Sequence, residues 1–502
     1  MKGKVYLVGA GPGDYKLITL KALECIKEAN VIVYDRLVNE KLLNEAKESC
    51  EFIYVGKSSS NHTLTQDEIN EVIANKAKEG KVVTRLKGGD PYVFGRGGEE
   101  GEYLLERNIE FEVVPGITSA IGGLCYAGIP ITHRNYASSF HVITGHLKDE
   151  EKELNWKVLA QFDGTLVFLM GVKNLENICT NLIKEGKDKK TPVAIINWAT
   201  RYNQRVVTGN LENIYEIALK ENIKPPSLIV VGDVVNLRDK LNFFENKPLF
   251  GKSIMVTRAR SQNSKLVEKI MDLGGNPIEF PTIKIEEISP NKELEEAIKN
   301  IEKYSYIVFT SQNGVKIFFN KLVDLSLDFR KLNNIKIVAI GPATANALKD
   351  RGIIADIVPK EYIAESIFDE LKDKLISKDN ILIPRASKAR DYLIEKLSEI
   401  CYVKEIKIYD TVLGDVNKEE ILDLLESNKI DYITFTSSST VKNLVKIIGE
   451  KNLEKLKNAK LISIGPITSN TIKSFDLDVY KEAKEYTING ILDIISKDIR
   501  GE

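Results

Sequence analysis

Apolar residues in this chain come in short runs, separated by stretches of helical periodicity. Val5-Tyr-Leu-Val8 reads as a buried strand, and Gly9 to Gly13 as a sharp turn. Thr19 reads as the cap of a helix whose Leu20, Leu23 and Ile26 recur on one face. Val31-Ile-Val-Tyr34 is the next strand, and further runs lie at Leu166–Met170, Val193–Ile196 and Leu228–Val231. Strand, loop and helix in alternation predict parallel strands with crossovers, hence an α/β class. A break falls in 242–252, where Pro248 and Gly251 punctuate the chain before a fresh strand at Ile254-Met-Val-Thr257. The phenylalanines of that stretch predict a linker packed on a domain. We expect one domain over 1–245 and a second over 250–502, joined near residue 248.

The second part repeats itself. Phe309-Thr-Ser recurs at Phe435-Thr-Ser, Ile340-Gly-Pro with Thr344 recurs at Ile464-Gly-Pro with Thr468, and Arg258 recurs as Arg385. Three features in register predict two similar α/β lobes with a cleft between them. Each repeated piece ends a strand with small hydroxyls and free amides, the place where open α/β sheets bind ligands. Thr344 and Thr468 are also read as caps of the helices that follow.

Composition narrows the function. The chain has 502 residues, 43% of them hydrophobic and 28% charged, which gives length for roughly three domains and argues against wholesale disorder. Lysine plus arginine total 71 against 72 acids, so no general basic excess exists for nucleic acid or an anionic membrane. An anionic ligand would need positive charge gathered locally. No apolar run approaches the about 20 residues of a transmembrane helix, and the start lacks a signal peptide's pattern. Five scattered cysteines suit a reducing cytoplasm. His141 and His146 do not share a helix face, so no metal site is expected.

Gly9-Ala-Gly11-Pro-Gly13-Asp14 follows a strand and precedes a helix, and Asp35 ends the next strand. That pattern approximates a dinucleotide fingerprint, so a nucleotide-dependent oxidoreductase is one reading of residues 1–248. The glycine spacing departs from that fingerprint, and Pro12 removes an amide from the loop. A dense loop containing Gly88-Gly89-Asp90 and Gly95-Arg96-Gly97-Gly98 follows, then Val114-Pro-Gly-Ile-Thr-Ser-Ala120. So much glycine and proline suggests backbone folded around a ligand.

At these segments, together with Tyr34-Asp-Arg-Leu-Val38, Val55-Gly-Lys57 and Pro226-Ser-Leu-Ile-Val-Val-Gly-Asp233, residues 1–240 resemble the tetrapyrrole methylases, specifically uroporphyrinogen-III C-methyltransferase. The resemblance implies two α/β lobes with S-adenosylmethionine in the cleft between them. It assigns cofactor contacts to Pro12, Gly88, Gly89, Asp90, Val93, Thr118, Ser119 and Met170, with backbone groups at the glycines and Asp90 holding polar ends. Asp35 matches the family's proton acceptor and Lys57 its proton donor; alone, each would read as a surface charge. Tyr15 departs from the usual proline. Ala199 replaces a cofactor-contacting glycine and is kept as a cofactor-binding residue. A homodimer through this half is implied.

Residues 250–502 resemble uroporphyrinogen-III synthase at Val256-Thr-Arg258, Phe309–Val315, Ala339–Thr344, Tyr409-Asp-Thr-Val412, Phe435–Thr440 and Ile464–Thr468. That implies two flavodoxin-like lobes joined by a two-stranded connector. Tyr409 would assist departure of the hydroxyl, or be an aromatic core residue at a strand end. Thr344, Ser437 and Thr468 would hold substrate carboxylates. The two resemblances together predict a bifunctional enzyme that closes hydroxymethylbilane to uroporphyrinogen III and methylates it twice to precorrin-2. A non-catalytic tetrapyrrole sensor is the competing reading of the second half.

Overall fold

The computed structural model describes residues 3–56, 64–145, 154–257, 260–361, 363–414 and 416–502, and the side chains of 260–264 are not described. Lys57, His146 and Arg258 therefore lie outside the described residues. The chain divides into two compact units, one of residues 1–252 with 271–276, the other of 253–270 with 277–502.

The first unit holds two five-stranded sheets. One contains β1 (Lys4–Gly9), β2 (Val31–Tyr34), β3 (Glu51–Tyr54), β4 (Val82–Lys87) and β5 (Glu110–Val114), in the order β3-β2-β4-β1-β5. Every pairing is parallel, as alternation of strand and helix predicts. Thr19 caps the helix Leu20–Glu28, accepting from the Ala22 amide. The inward face of that helix is Ala22, Cys25 and Ile26, however, and Leu20 is 82% exposed. At 100° per residue, position 20 lies opposite the mean direction of those three, so the periodicity of the leucines misplaced the buried face.

The other sheet contains β6 (Phe140–Thr144), β7 (Thr165–Leu169), β8 (Pro192–Asn197), β9 (Arg205–Asn210) and β10 (Ser227–Val231), in the order β6-β7-β10-β8-β9. Here the parallel expectation fails. Only β6 and β7 pair in parallel; β10 runs antiparallel to both β7 and β8, and β8 to β9. An apolar run carries no direction, and the short connection 198–204 closes a hairpin instead of a crossover. The linker packs on this unit as expected. Leu249 is fully buried, and the Phe244 ring packs at a tilt on Tyr126 and edge-to-face on Phe250, with centroids 4.6 and 5.4 Å apart.

The second unit also holds two sheets. One contains β11 (Ser253–Val256), β12 (Asn276–Glu279), β18 (Tyr432–Phe435), β19 (Lys460–Ser463) and β20 (Lys481–Glu482), in the order β12-β11-β18-β19-β20. Numbered within the sheet, that is 2-1-3-4-5, the flavodoxin-like winding. The other contains β13 (Ile283–Glu287), β14 (Tyr306–Phe309), β15 (Lys336–Ala339), β16 (Asn380–Ala386) and β17 (Tyr402–Leu413), in the order β13-β17-β16-β14-β15. The repeat is real in three dimensions. β14 lies between β16 and β15 as β18 lies between β11 and β19, so Phe-Thr-Ser and Ile-Gly-Pro occupy matching strand ends. β13 pairs antiparallel with the last five residues of β17, forming a two-stranded ribbon. Among the described residues no helix is long and apolar enough to cross a membrane.

Candidate active sites

In the first unit, strand ends converge on a cavity of about 610 Å³. Three glycine loops build one wall. Gly11 and Gly89 exchange backbone hydrogen bonds at 3.2 and 2.7 Å, joining the loop after β1 to the loop after β4. A Cβ on Gly116 would sit 2.2 Å from the Gly89 carbonyl oxygen and 2.7 Å from the Gly9 Cα, so these backbones approach as only glycine permits. The first glycine loop does not run directly into a helix. Tyr15–Leu17 form a single 3-10 turn, and the helix starts after Thr19. The helix that follows this loop in the chain therefore does not open directly from it, unlike the dinucleotide fingerprint, in which the glycines run straight into the helix.

All nine residues expected to contact cofactor line this one cavity: Pro12, Gly88, Gly89, Asp90, Val93, Thr118, Ser119, Met170 and Ala199. Asp90 does so with its side chain already committed. Its Oδ1 accepts from the amides of Tyr92 (2.8 Å) and Val93 (3.1 Å), and its Oδ2 from Gly116 (2.9 Å). Thr118 caps the helix Ser119–Tyr126. The methyl of Ala199 is in the core cluster, beside Gly123, where a Cβ would lie 3.0 Å from it. Phe94, Met170 and Trp198 all line the cavity with φ of 54°, 58° and 47°, left-handed values that side-chain-bearing residues adopt only when their surroundings enforce them.

Sequence reasoning missed the cations. Arg36, Lys173 and Arg201 also line the cavity, and the Arg201 guanidinium donates to the Leu37 carbonyl at 2.9 Å, spanning from the second sheet's loops to the first's. Burial pushes the Arg201 guanidinium below its ordinary value. A local cation surplus was inferred, but nothing in the spacing of these three residues marks them.

Asp35 follows β2 and is not among the lining residues, although its neighbours Arg36 and Leu37 are. Its Oδ1 accepts from the Leu37 amide at 3.0 Å, and its Oδ2 is 3.5 Å from Arg85 Nη2. Arg85, Lys87 and Glu100 form a buried charged group beside it. The Lys87 ammonium is pushed down by burial and by the neighbouring Arg85.

In the second unit, Tyr409 sits in β17 where pairing changes over. It faces Ala386 across a bulge on one side and Glu287 on the other. The ring is buried in the core of its lobe, yet the phenol reaches Ser311 Oγ at 2.9 Å. Ser311 and Ser437 cap the helices Gln312–Asp324 and Ser438–Ile448. Thr344 and Thr468 are not caps. Gly341 and Gly465 hold that position, with Pro342 and Pro466 at the first helical residue. Proline's fixed φ starts the helix two residues before each threonine, which is left 3% exposed. Arg385 is spent within its lobe on Glu405 and Asp391, both at 2.7 Å.

Comparison with known proteins matches both halves. Residues 4–215 match the tetrapyrrole (corrin/porphyrin) methylases, and residues 264–493 match uroporphyrinogen-III synthase HemD. The porphyrin biosynthesis protein HemD of Ruminiclostridium josui is 40% identical over 493 residues, covering 98% of this chain and 97% of that protein. The chain belongs to the tetrapyrrole methylases fused to a uroporphyrinogen-III synthase. The methylase half is 55% identical to the uroporphyrinogen-III C-methyltransferase of Priestia megaterium, over 47% of this chain and 99% of that one. A Thermus thermophilus uroporphyrin-III C-methyl transferase, solved with S-adenyl homocysteine, is 41% identical with a TM-score of 0.41, covering 47% of this chain and all of that one.

The glycine contacts of the methylase half give a direct prediction. Gly116→Ala is expected to force the Gly9 and Gly89 backbones apart and to abolish S-adenosylhomocysteine binding. Calorimetric titration of the full chain reads this, and binding within threefold of wild type contradicts it.

Proposed function

We propose that residues 1–245 methylate uroporphyrinogen III twice to precorrin-2, and that residues 250–502 form uroporphyrinogen III by closing hydroxymethylbilane with inversion of its last ring. The observation that carries the first reading is the convergence of nine residues from five loops on one cavity. Its size suits a small-molecule ligand. Leu169, Met170, Ile196 and Trp198 supply apolar wall, while backbone at the half-buried Gly88 and Asp90 supplies polar partners. That donor set fits a molecule with a flat base at one end and an amino acid at the other. S-adenosylmethionine, when bound, supplies an electrophilic methyl group. The chain's own task is to bind it, exclude water and take up the proton released, a task we assign to Asp35 with Lys57 as donor.

In the second half, loss of hydroxyl from a pyrrolylmethanol needs a proton donor and a held conformation. The Tyr409 phenol, oriented by Ser311, is assigned as that donor. Ser437, the cap after β18, and Thr344 and Thr468, in the first turns of the helices after β15 and β19, would receive carboxylates, through backbone amides more than through the buried threonine hydroxyls. Tyr409→Phe is expected to slow formation of the type III isomer at least about tenfold. Methylation of supplied uroporphyrinogen III should be unchanged; an undiminished rate of ring closure removes Tyr409 from the mechanism.

The whole proposal is tested by incubating the purified chain anaerobically with hydroxymethylbilane, with and without S-adenosylmethionine. Type III uroporphyrinogen without cofactor and a dimethylated product with it are expected. The uninverted isomer alone would make the second half a binding module. We also propose a cytoplasmic homodimer joined through the methylase half. Sedimentation of the full chain at monomer mass would rule the dimer out.

A further inference from the structure

We propose that Glu100 is a positioning residue for methyl transfer: it anchors the Arg85 guanidinium, whose far arm meets the Asp35 carboxylate. The inference rests on the reading of Asp35 as proton acceptor.

Glu100 is the fourth residue of the helix Gly97–Glu106 and is 1% exposed. Its Oε1 accepts from three donors, Lys87 Nζ at 2.6 Å, Gln66 Nε2 at 3.1 Å and Arg85 Nε at 3.3 Å. Its Oε2 is buried with no partner among the described residues. Such one-sided bonding is costly for a carboxylate out of water, and an orphaned buried oxygen calls for an explanation.

Arg85 supplies one. Its guanidinium is used on every side. Nε meets Glu100, Nη1 donates to the carbonyls of Val33 (3.3 Å) and Leu86 (3.1 Å), and Nη2 reaches Asp35 at 3.5 Å. The planar fork is therefore fixed at its Nε edge by Glu100 and in the middle by two carbonyls, leaving the Nη2 arm aimed at Asp35. Lys87 ends β4 immediately before Gly88, so the same carboxylate also steadies the strand end that leads into the cavity wall.

Stability does not demand this arrangement. Buried ion clusters are commonly replaceable by apolar residues at little or no loss. Four charged groups, Asp35, Arg85, Lys87 and Glu100, are instead kept together around β4, whose last residue precedes the cavity-lining Gly88. Geometry at Asp35 accounts for them.

The test uses the full-length chain and its Glu100→Gln variant, supplied with uroporphyrinogen III and S-adenosylmethionine. Glutamine keeps the shape and one acceptor oxygen but loses the charge that holds Arg85. We expect kcat for methylation to fall about tenfold, with both KM values, S-adenosylhomocysteine affinity and the melting temperature within about twofold or two degrees of wild type. Unchanged kcat overturns the proposal. A matching loss of cofactor affinity and melting temperature also overturns it, because the role is then structural. Asp35→Ala, measured alongside, separates the two readings: wild-type rate there removes Asp35 as acceptor, and the proposal with it. Should Glu100→Gln not fold, Arg85→Lys keeps the charge and removes the fork between Glu100 and Asp35. It must show the same loss of kcat, and full activity in that variant overturns the proposal.

Discussion

Asp90→Ala is expected to weaken S-adenosylhomocysteine binding by one to two orders of magnitude while leaving both sheets of the methylase half folded. The carboxylate ties three backbone amides together: Tyr92 and Val93 in its own loop, and Gly116 in the loop after β5. Hydrogen bonds to a charged group contribute about 1.5–3 kcal/mol each, and water replaces part of that in a half-exposed loop. A net loss of about 2–3 kcal/mol in loop preorganisation corresponds to roughly 30- to 150-fold in affinity. Asp90→Asn should fall between, since an amide keeps one acceptor oxygen and turns an NH₂ toward an amide donor. Calorimetry reads the affinity, and formation of type III isomer by the other half serves as an internal control for intact protein. A dissociation constant within threefold of wild type would mean that the loop holds its shape without its latch.

The glycine loops and strand ends were legible because close backbone approach leaves a compositional trace. Gly9 and Gly116 stand where a Cβ has no room, Gly89 adopts a left-handed φ of 74°, and the motif containing each is visible in the chain. The repeat was legible for a related reason: the strand-end pieces recur at matched positions of two sheets. What stayed hidden depends on direction or on distant partners. Nothing in Leu228–Val231 says that β10 runs against β7 and β8. The contact of Arg85 with Asp35 spans 50 residues, and that of Glu100 with Arg85 spans 15, so neither shows as a motif. Thr344 and Thr468 failed as caps because the general preference for threonine yields to a specific Gly-Pro start. The nine cavity-lining residues assigned to cofactor came from family likeness, and the left-handed backbone at Met170 and Trp198 in the same wall had no sequence signal at all.

The second large effect lies in the synthase half, away from the strand ends that would meet substrate. Asp498, in the C-terminal helix Ile488–Arg500, accepts from Tyr432 Oη (2.8 Å) and Lys460 Nζ (2.7 Å) on one oxygen. The other oxygen accepts from Tyr480 Oη (2.6 Å) and pairs with Lys481 at 3.0 Å. Three of these four donors begin β18, β19 and β20, and Tyr480 immediately precedes β20, so one carboxylate ties the last helix to three strands. Its side chain is 7% exposed, while Lys460 and Lys481 are 44% and 34% exposed. Burial pushes the carboxyl up, but the hydrogen bonds from Lys460, Tyr480, Tyr432 and Lys481 together outweigh it and hold the group well below the usual carboxylate range. Removing one partner of a buried pair costs about 3–5 kcal/mol, and the half-exposed lysines reduce that here to about 2–3 kcal/mol for Asp498→Ala. The pH dependence follows from the lowered value. A group whose pKa is depressed on folding adds stability that is full above its unfolded value, near 4, and is lost as pH falls through the folded one. The difference between wild type and Asp498→Ala should thus be constant from neutral pH down to about pH 5 and shrink below pH 4. Both tryptophans, Trp156 and Trp198, lie in the methylase half, so their fluorescence does not report on this site. Hydrogen exchange at the amides of β18 and β19 does, and protection there should fall by roughly 30- to 150-fold at neutral pH. Protection unchanged by the substitution would mean that apolar packing of Ile491, Leu492 and Ile495 alone secures the helix.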